Sequence, residues 1–189
     1  GFDEGDGDVD VQVVAFAFEQ WMRGHVGDYI KIAGRAARRA GRSFAGQPDS
    51  RDAYDRAVLD VLRKHDVELV LLAGYMKIVT PVLVKAYEHR MMNIHPSLLP
   101  SFPGLDVQKK ALEHGVKLSG CTVHFVTDGV DEGPIIIQAA VPILEGDTAE
   151  TLAARILVEE HKIYPQAVQL YAEGRLNVSG RVVRISSAS

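Results

Sequence analysis

The chain carries one cysteine, Cys121, in 189 residues. An internal disulfide framework is therefore excluded, and a reducing compartment fits. No apolar run is long enough to cross a bilayer. The first ten residues, mostly Gly and Asp, carry no signal-peptide pattern. Positive charge is not in excess either. Lys and Arg number 21 against 25 Asp and Glu, a net charge of −4, so no global field recruits nucleic acid. Repeats and linkers are absent. What remains is a 47% hydrophobic chain, enough to bury an ample core. The expectation is a single cytoplasmic domain over 1–189, a monomer or homodimer with no membrane contact, whose residues 1–10 form a disordered acidic tail.

Taken in order, Val11–Phe18 reads as a buried strand. Residues 19–47 follow no usual pattern. Lys31, Arg35, Arg38, Arg39 and Arg42 lie there among alanines and glycines, and are read as a solvated helix face rather than an anion site. From Pro48 the pattern is clean. Tyr54, Ala57, Val58, Val61 and Leu62 give an amphipathic helix ending near His65, with Asp52 in its first turn. Val67–Ala73 is near-continuously apolar, as in a sheet covered on both faces. A short helix follows from Thr80-Pro81, and another is placed near Val107–His114. Cys121–Val126 and Ile135–Ile143 are strands with no helix between them, which predicts an antiparallel hairpin. Gly146-Asp147-Thr148 caps a long helix, Pro165 is expected to kink or restart it, and Gly174 ends it. Residues 175–189 read as a peripheral hairpin. These elements make an α/β domain with a mixed sheet.

Chemistry gathers in Asn93-Ile94-His95-Pro96-Ser97-Leu98-Leu99-Pro100-Ser101-Phe102-Pro103-Gly104. A strand delivers an amide and an imidazole on one face, two residues apart, before Pro and Gly break regular structure. In open α/β sheets, ligands bind at such strand ends. Asp131 sits on a glycine-flanked loop, and a carboxylate beside an imidazole favours the imidazolium. Imidazolium and amide together can hold an oxyanion and pass a proton to a leaving group. That is acyl transfer without a protein nucleophile. Ser97 lacks the glycine-flanked elbow of a catalytic serine and is read as structural. His95, His124 and Asp131 could converge on a metal, but no ligand pair has metal spacing. His124 is read as a strand histidine with a satisfied hydrogen bond.

Asn93–Gly104 strongly resembles the signature of the phosphoribosylglycinamide formyltransferase family. The similarity continues through Ala73–Ile78, Val123–Asp128, Asp131–Pro134 and Glu160–Pro165, and spans about Pro48 to Leu176. The resemblance implies a Rossmann-like formyltransferase fold, a mostly parallel sheet with an antiparallel hairpin and helices on both faces. It implies formyl transfer from 10-formyltetrahydrofolate, a co-substrate, to the amine of glycinamide ribonucleotide in purine synthesis, without a metal. His95 would be the general acid, Asn93 the oxyanion donor, and Asp131 the group that raises the His95 pKa and positions a relaying water. Arg51, Met76, Lys77, Ile78, Val79, Asn93, Thr127, Asp128, Gly129, Val130 and Asp131 would contact the folate. Pro96 and Glu160 would face the ribonucleotide.

The family opens with a strand and a Gly-Ser-Asn-type loop that grips phosphate at a helix N-terminus. No such loop is found, and Val11–Val14 resembles the family's second strand, so the amino-terminal region is read as atypical or truncated. Leu157 stands where a polar residue is common, and Asp106 where histidine is. The alternatives are a folate-binding remnant without catalysis, a methionyl-tRNA formyltransferase, or a formyltetrahydrofolate deformylase. The first of these two enzymes has a basic, Trp-containing segment where Ser101–Gly104 stands. The second carries an extra amino-terminal domain.

Overall fold

A computed structural model describes residues 13–16, 51–75 and 78–187. The expected tail at 1–10 and the segment 19–47 lie outside the described residues, as do Met76 and Lys77. The described elements run β1 (Val13–Phe16), α1 (Arg51–Lys64), β2 (Leu69–Ala73), α2 (Pro81–Ala86), β3 (Met91–His95), α3 (Val107–Glu113), β4 (Leu118–Phe125), β5 (Ile135–Pro142), α4 (Ala149–Ala172), β6 (Leu176–Ser179) and β7 (Val182–Ile185). Among the described residues these strands form one sheet in the order β1-β2-β3-β4-β5-β7-β6. β1, β2 and β3 pair in parallel, and β3–β4 and β4–β5 pair antiparallel. The expected hairpin is thus β4–β5. The carboxy-terminal hairpin β6–β7 joins the main sheet through a parallel pairing of β7 with β5.

Alternation along the strands sorts the core into two layers, because successive side chains point to opposite faces. On one face, Leu69, Leu71 and Ala73 of β2 pack with Met92, Ile94, Cys121, Val123 and Phe125, covered by Leu152, Ile156, Ile163 and Tyr164 of α4. On the other, Val70, Leu72 and Met91 pack against Val58, Leu59 and Leu62 of α1 and Leu83 of α2. Helices on both faces explain why β2 is buried at every position. The register then fixes the chemistry. Asn93 and His95 share the Met91 face, and across the β3–β4 ladder they stand opposite His124 and Thr122. Four polar side chains therefore stand together on one face of the sheet, with Gln138 of β5 opposite Thr122 beside them.

Local rules set the helix ends. Thr148 and Thr151 exchange side-chain and backbone hydrogen bonds as a capping box at the start of α4. At its end Gly174 takes φ +65°, while Gly174 N–H bonds Tyr171 O and Arg175 N–H bonds Leu170 O, a Schellman turn that glycine favours. Pro165 does not restart the helix as expected: α4 runs as one element through it. Buried Ile163, Tyr164 and Ala167 hold both sides of the proline to the sheet, which outweighs one lost backbone bond. β4 starts three residues earlier than its alternation indicates, at Leu118, because antiparallel pairing with Val141 and Pro142 extends it. Asp55, buried on α1, accepts the Thr80 N–H at 2.6 Å and ties α1 to the start of α2.

Candidate functional site

β3 ends at His95 because the Ser97–Gly104 segment turns back over it. His95 Nε2 lies 3.0 Å from Phe102 O. A carbonyl only accepts, so this nitrogen carries the proton and the ring's Nδ1 is left facing Asp131 Oδ2 at 3.3 Å. Asp131 Oδ2 also accepts the Gly104 N–H at 2.8 Å. Its other oxygen, Oδ1, stands 3.6 Å from His124 Nε2. That nitrogen in turn lies 3.2 Å from Asn93 Nδ2, while His124 Nδ1 donates to Phe125 O at 2.9 Å. Asn93, His95, His124 and Asp131 thus form one connected group. Phe102 and Asp131 hold φ of +52° and +55°, left-handed values that cost non-glycine residues free energy and recur at functional sites.

Electrostatics corrects one expectation. Asp131 does push the His95 pKa up, as does the Phe102 carbonyl, but burial outweighs both and the imidazole is held below its ordinary value. His95 is only 5% exposed, so its charged form loses most of its hydration. Burial alone would raise the Asp131 carboxyl, yet the adjoining His124 ring, the Gly104 amide and His95 together bring it down. Both shifts make the unfolded chain bind more protons than the folded one on the acid side, so stability rises with pH there. The His95 contribution is complete above about pH 6.5 and is lost as pH falls through the lowered folded value. Asp131 adds a second loss below about pH 4. Denaturant titrations between about pH 7 and pH 5 are expected to show stability falling with acid, with a shallower fall in His95→Gln. A stability that rises with acid over that range would refute the assignment.

Of the other expected site residues, Thr127, Gly129 and Pro96 are half-buried near these strand ends, and Val79 packs on the α1 face. Ile78 and Val130 are exposed apolar side chains, and Asp128 is exposed. Arg51 opens α1 and is exposed. Glu160 is buried on α4, whose packing face meets the side of the sheet that carries Cys121. The structure therefore groups Asn93, His95 and Asp131, and places Arg51 and Glu160 on other elements. Ser97 is buried and its hydroxyl donates to Ser101 O at 2.6 Å, in keeping with a structural role. Among the described residues, no three His, Cys, Asp or Glu side chains are placed to hold a metal. None of the described helices is long and apolar enough to cross a membrane.

Sequence reasoning missed the grip of His124 on Asn93 and Asp131. A signal was available: Thr122 and His124 interrupt an apolar strand at alternate positions, as Asn93 and His95 do in theirs. The Phe102 carbonyl and Gly104 amide left no such signal, being backbone groups aimed by loop conformation.

The formyl transferase family profile matches residues 28–168, so positions 28–47 of the segment read as atypical fall inside the match. Phosphoribosylglycinamide formyltransferase of Escherichia coli is 46% identical over 130 residues, which cover 69% of this chain and 61% of that protein. The trifunctional purine biosynthetic protein adenosine-3 of Bos taurus is 48% identical over 135 residues, 70% of this chain and 13% of that protein. The chain thus spans less than two thirds of these relatives' length. Glycinamide ribonucleotide transformylase 1 from Symbiobacterium toebii superposes with a TM-score of 0.74 at 50% identity, covering 94% of this chain and 81% of that one.

Proposed function

The chain belongs to the formyl transferase family, and from that premise we propose that it moves a formyl group from 10-formyltetrahydrofolate to the amine of glycinamide ribonucleotide. The observation that carries this reading is the contact of His95 Nδ1 with Asp131 Oδ2 at 3.3 Å beside the Asn93 amide. The names of its relatives supply the substrate class.

In this reading the amine attacks the formyl carbon directly, and the carbonyl oxygen becomes an oxyanion. Asn93 has one amide N–H engaged by His124 and a second to donate to that oxygen. The Phe102 carbonyl orients the His95 ring through Nε2, leaving Nδ1 and Asp131 as the proton-handling pair. As the tetrahedral centre collapses, the bond to folate nitrogen N10 breaks. The amine gives up one proton and N10 gains one, relayed by His95 with Asp131 and a water. Ile78, Val79 and the loop Thr127–Asp131 would border the pterin, with Arg51, Met76 and Lys77 as further folate contacts. Pro96 and Glu160 would face the ribonucleotide. A neutral resting His95 fits this cycle, since it picks up a proton from the incoming amine before delivering one.

The test is turnover. The chain is mixed with both compounds, and formylated ribonucleotide and free tetrahydrofolate are measured together. Equal yields of the two are expected. Formate released without ribonucleotide consumption would make water the acceptor and sink the reading. Folate binding in calorimetry without turnover would instead mark a binding remnant.

A further inference from the structure

The segment from Ser97 to Gly104 touches the catalytic group at two points, Phe102 O on His95 Nε2 and Gly104 N–H on Asp131 Oδ2. Something must hold that segment still. Ser97, 1% exposed, places its Oγ 2.6 Å from Ser101 O and 3.2 Å from Phe102 O. The same Phe102 carbonyl that His95 leans on is therefore gripped by Ser97. A second set of bonds anchors the start of the segment. Thr122 Oγ1 donates to Ser97 O at 2.7 Å and accepts the Leu99 N–H at 3.0 Å. Gln138 Nε2 reaches both Leu99 O and Thr122 Oγ1 at 2.9 Å. With its proton donated to loop carbonyls, the Ser97 hydroxyl is poorly placed to act as a nucleophile.

We propose that Ser97 is a positioning residue for His95: its hydroxyl keeps Phe102 in the left-handed conformation that aims its carbonyl at the imidazole Nε2. Phe102 pays for φ +52°, a conformation that a phenylalanine leaves when its constraints are removed. Without Ser97 the carbonyl swings off, and Nε2 loses the acceptor that fixes the tautomer. Removing that acceptor withdraws one of the two supports of the protonated ring. The charged groups facing His95 are Asp131 on the β4–β5 loop, His124 on β4, and Lys110 on α3, whose Nζ lies 3.5 Å from Pro103 O. All three stand on elements outside the Ser97–Gly104 segment.

The experiment is a nitrogen-15 NMR titration of the histidines in the free protein, comparing Ser97→Ala with the parent. The His95 midpoint is expected to fall by roughly half a pH unit, with the Nε2–H tautomer no longer dominant. Gln138→Ala, at the exposed far end of the same brace, is expected to shift it in the same direction by less. Ser101→Ala removes an exposed hydroxyl outside the brace and leaves the titration unchanged. A folded Ser97→Ala protein whose His95 titrates like the parent overturns the proposal. If that variant does not fold, an unshifted His95 in Gln138→Ala overturns it instead. One further readout rests on the formyl-transfer reading: kcat falls about tenfold while the folate KM stays the same. A parent without turnover would count against that reading and leave the NMR result to stand or fall alone.

Discussion

His95→Ala is expected to lower kcat/KM for formyl transfer by roughly 10³-fold, the range for losing a general acid that also lies beside an oxyanion. The imidazole has one nitrogen oriented by the Phe102 carbonyl and the other against the Asp131 carboxylate at 3.3 Å, closer than the 3.6 Å at which His124 stands from it. Asn93 and Asp131 remain after the substitution, held by His124 and by the Gly104 N–H, so folate binding should persist. The loss falls on kcat rather than KM, as for an interaction made mainly in the transition state. Steady-state kinetics with a parallel measurement of folate affinity checks this. A variant within tenfold of the parent would remove His95 from the proton path and the proposed mechanism with it.

The largest stability effect is expected from a single methyl group. At Gly133 an added Cβ would collide with the Phe125 carbonyl and crowd Thr127 Cγ2 at 3.3 Å. Phe125 O cannot rotate away like a side chain, because it accepts from His124 Nδ1 and Phe125 is paired with Met92 in the β3–β4 ladder that carries the site. Gly133→Ala must therefore displace the β4–β5 connection. A cost of about 3 kcal/mol or more follows from forced backbone movement in a packed region. Urea unfolding of the two proteins measures it, and a difference within about 0.5 kcal/mol would show that the loop accommodates the methyl freely. Asp131 lies two residues away on the same connection, so activity is expected to fall further than the loss of folded protein accounts for.

Much of this was legible in the sequence, for physical reasons that can be named. The apolar run at Leu69–Ala73 announced a strand covered on both sides, and the spacing of Tyr54 to Leu62 announced the helix that covers one of them. Asn93 and His95, two apart on an apolar strand, had to share a face. Residue type alone suggested their proximity to Asp131, because the contact depends on a loop that folds back over many residues. Two things were written nowhere in the local pattern. The sign of the His95 shift depends on how completely packing removes water, and burial is a property of the whole fold. The grip of Phe102 O and Gly104 N–H depends on positive φ at both residues, which phenylalanine disfavours and glycine accepts. Pro165 shows the converse, a strong local signal overridden by the core on either side of it.

Among the described residues, the hydrogen-bonded groups from Asn93 through Phe102, Gly104, Thr122 and His124 to Asp131 and Gln138 belong to one continuous stretch that begins at β3 and ends in β5. The hydrogen-bonded cluster is thus encoded as a single paragraph of the chain, while Arg51 and Glu160 lie on other pages. Its pairings range from the local one of His95 with Phe102, seven residues apart, to that of Leu99 with Gln138, 39 apart, so the entropy of closing those longer loops falls within this one stretch. On a ribosome that stretch emerges before α4 does, so the polar face of the sheet can find its register before the helix that seals the opposite face exists. A module of that kind can also be transplanted as a unit, provided the host sheet offers a parallel neighbour for Met91–His95.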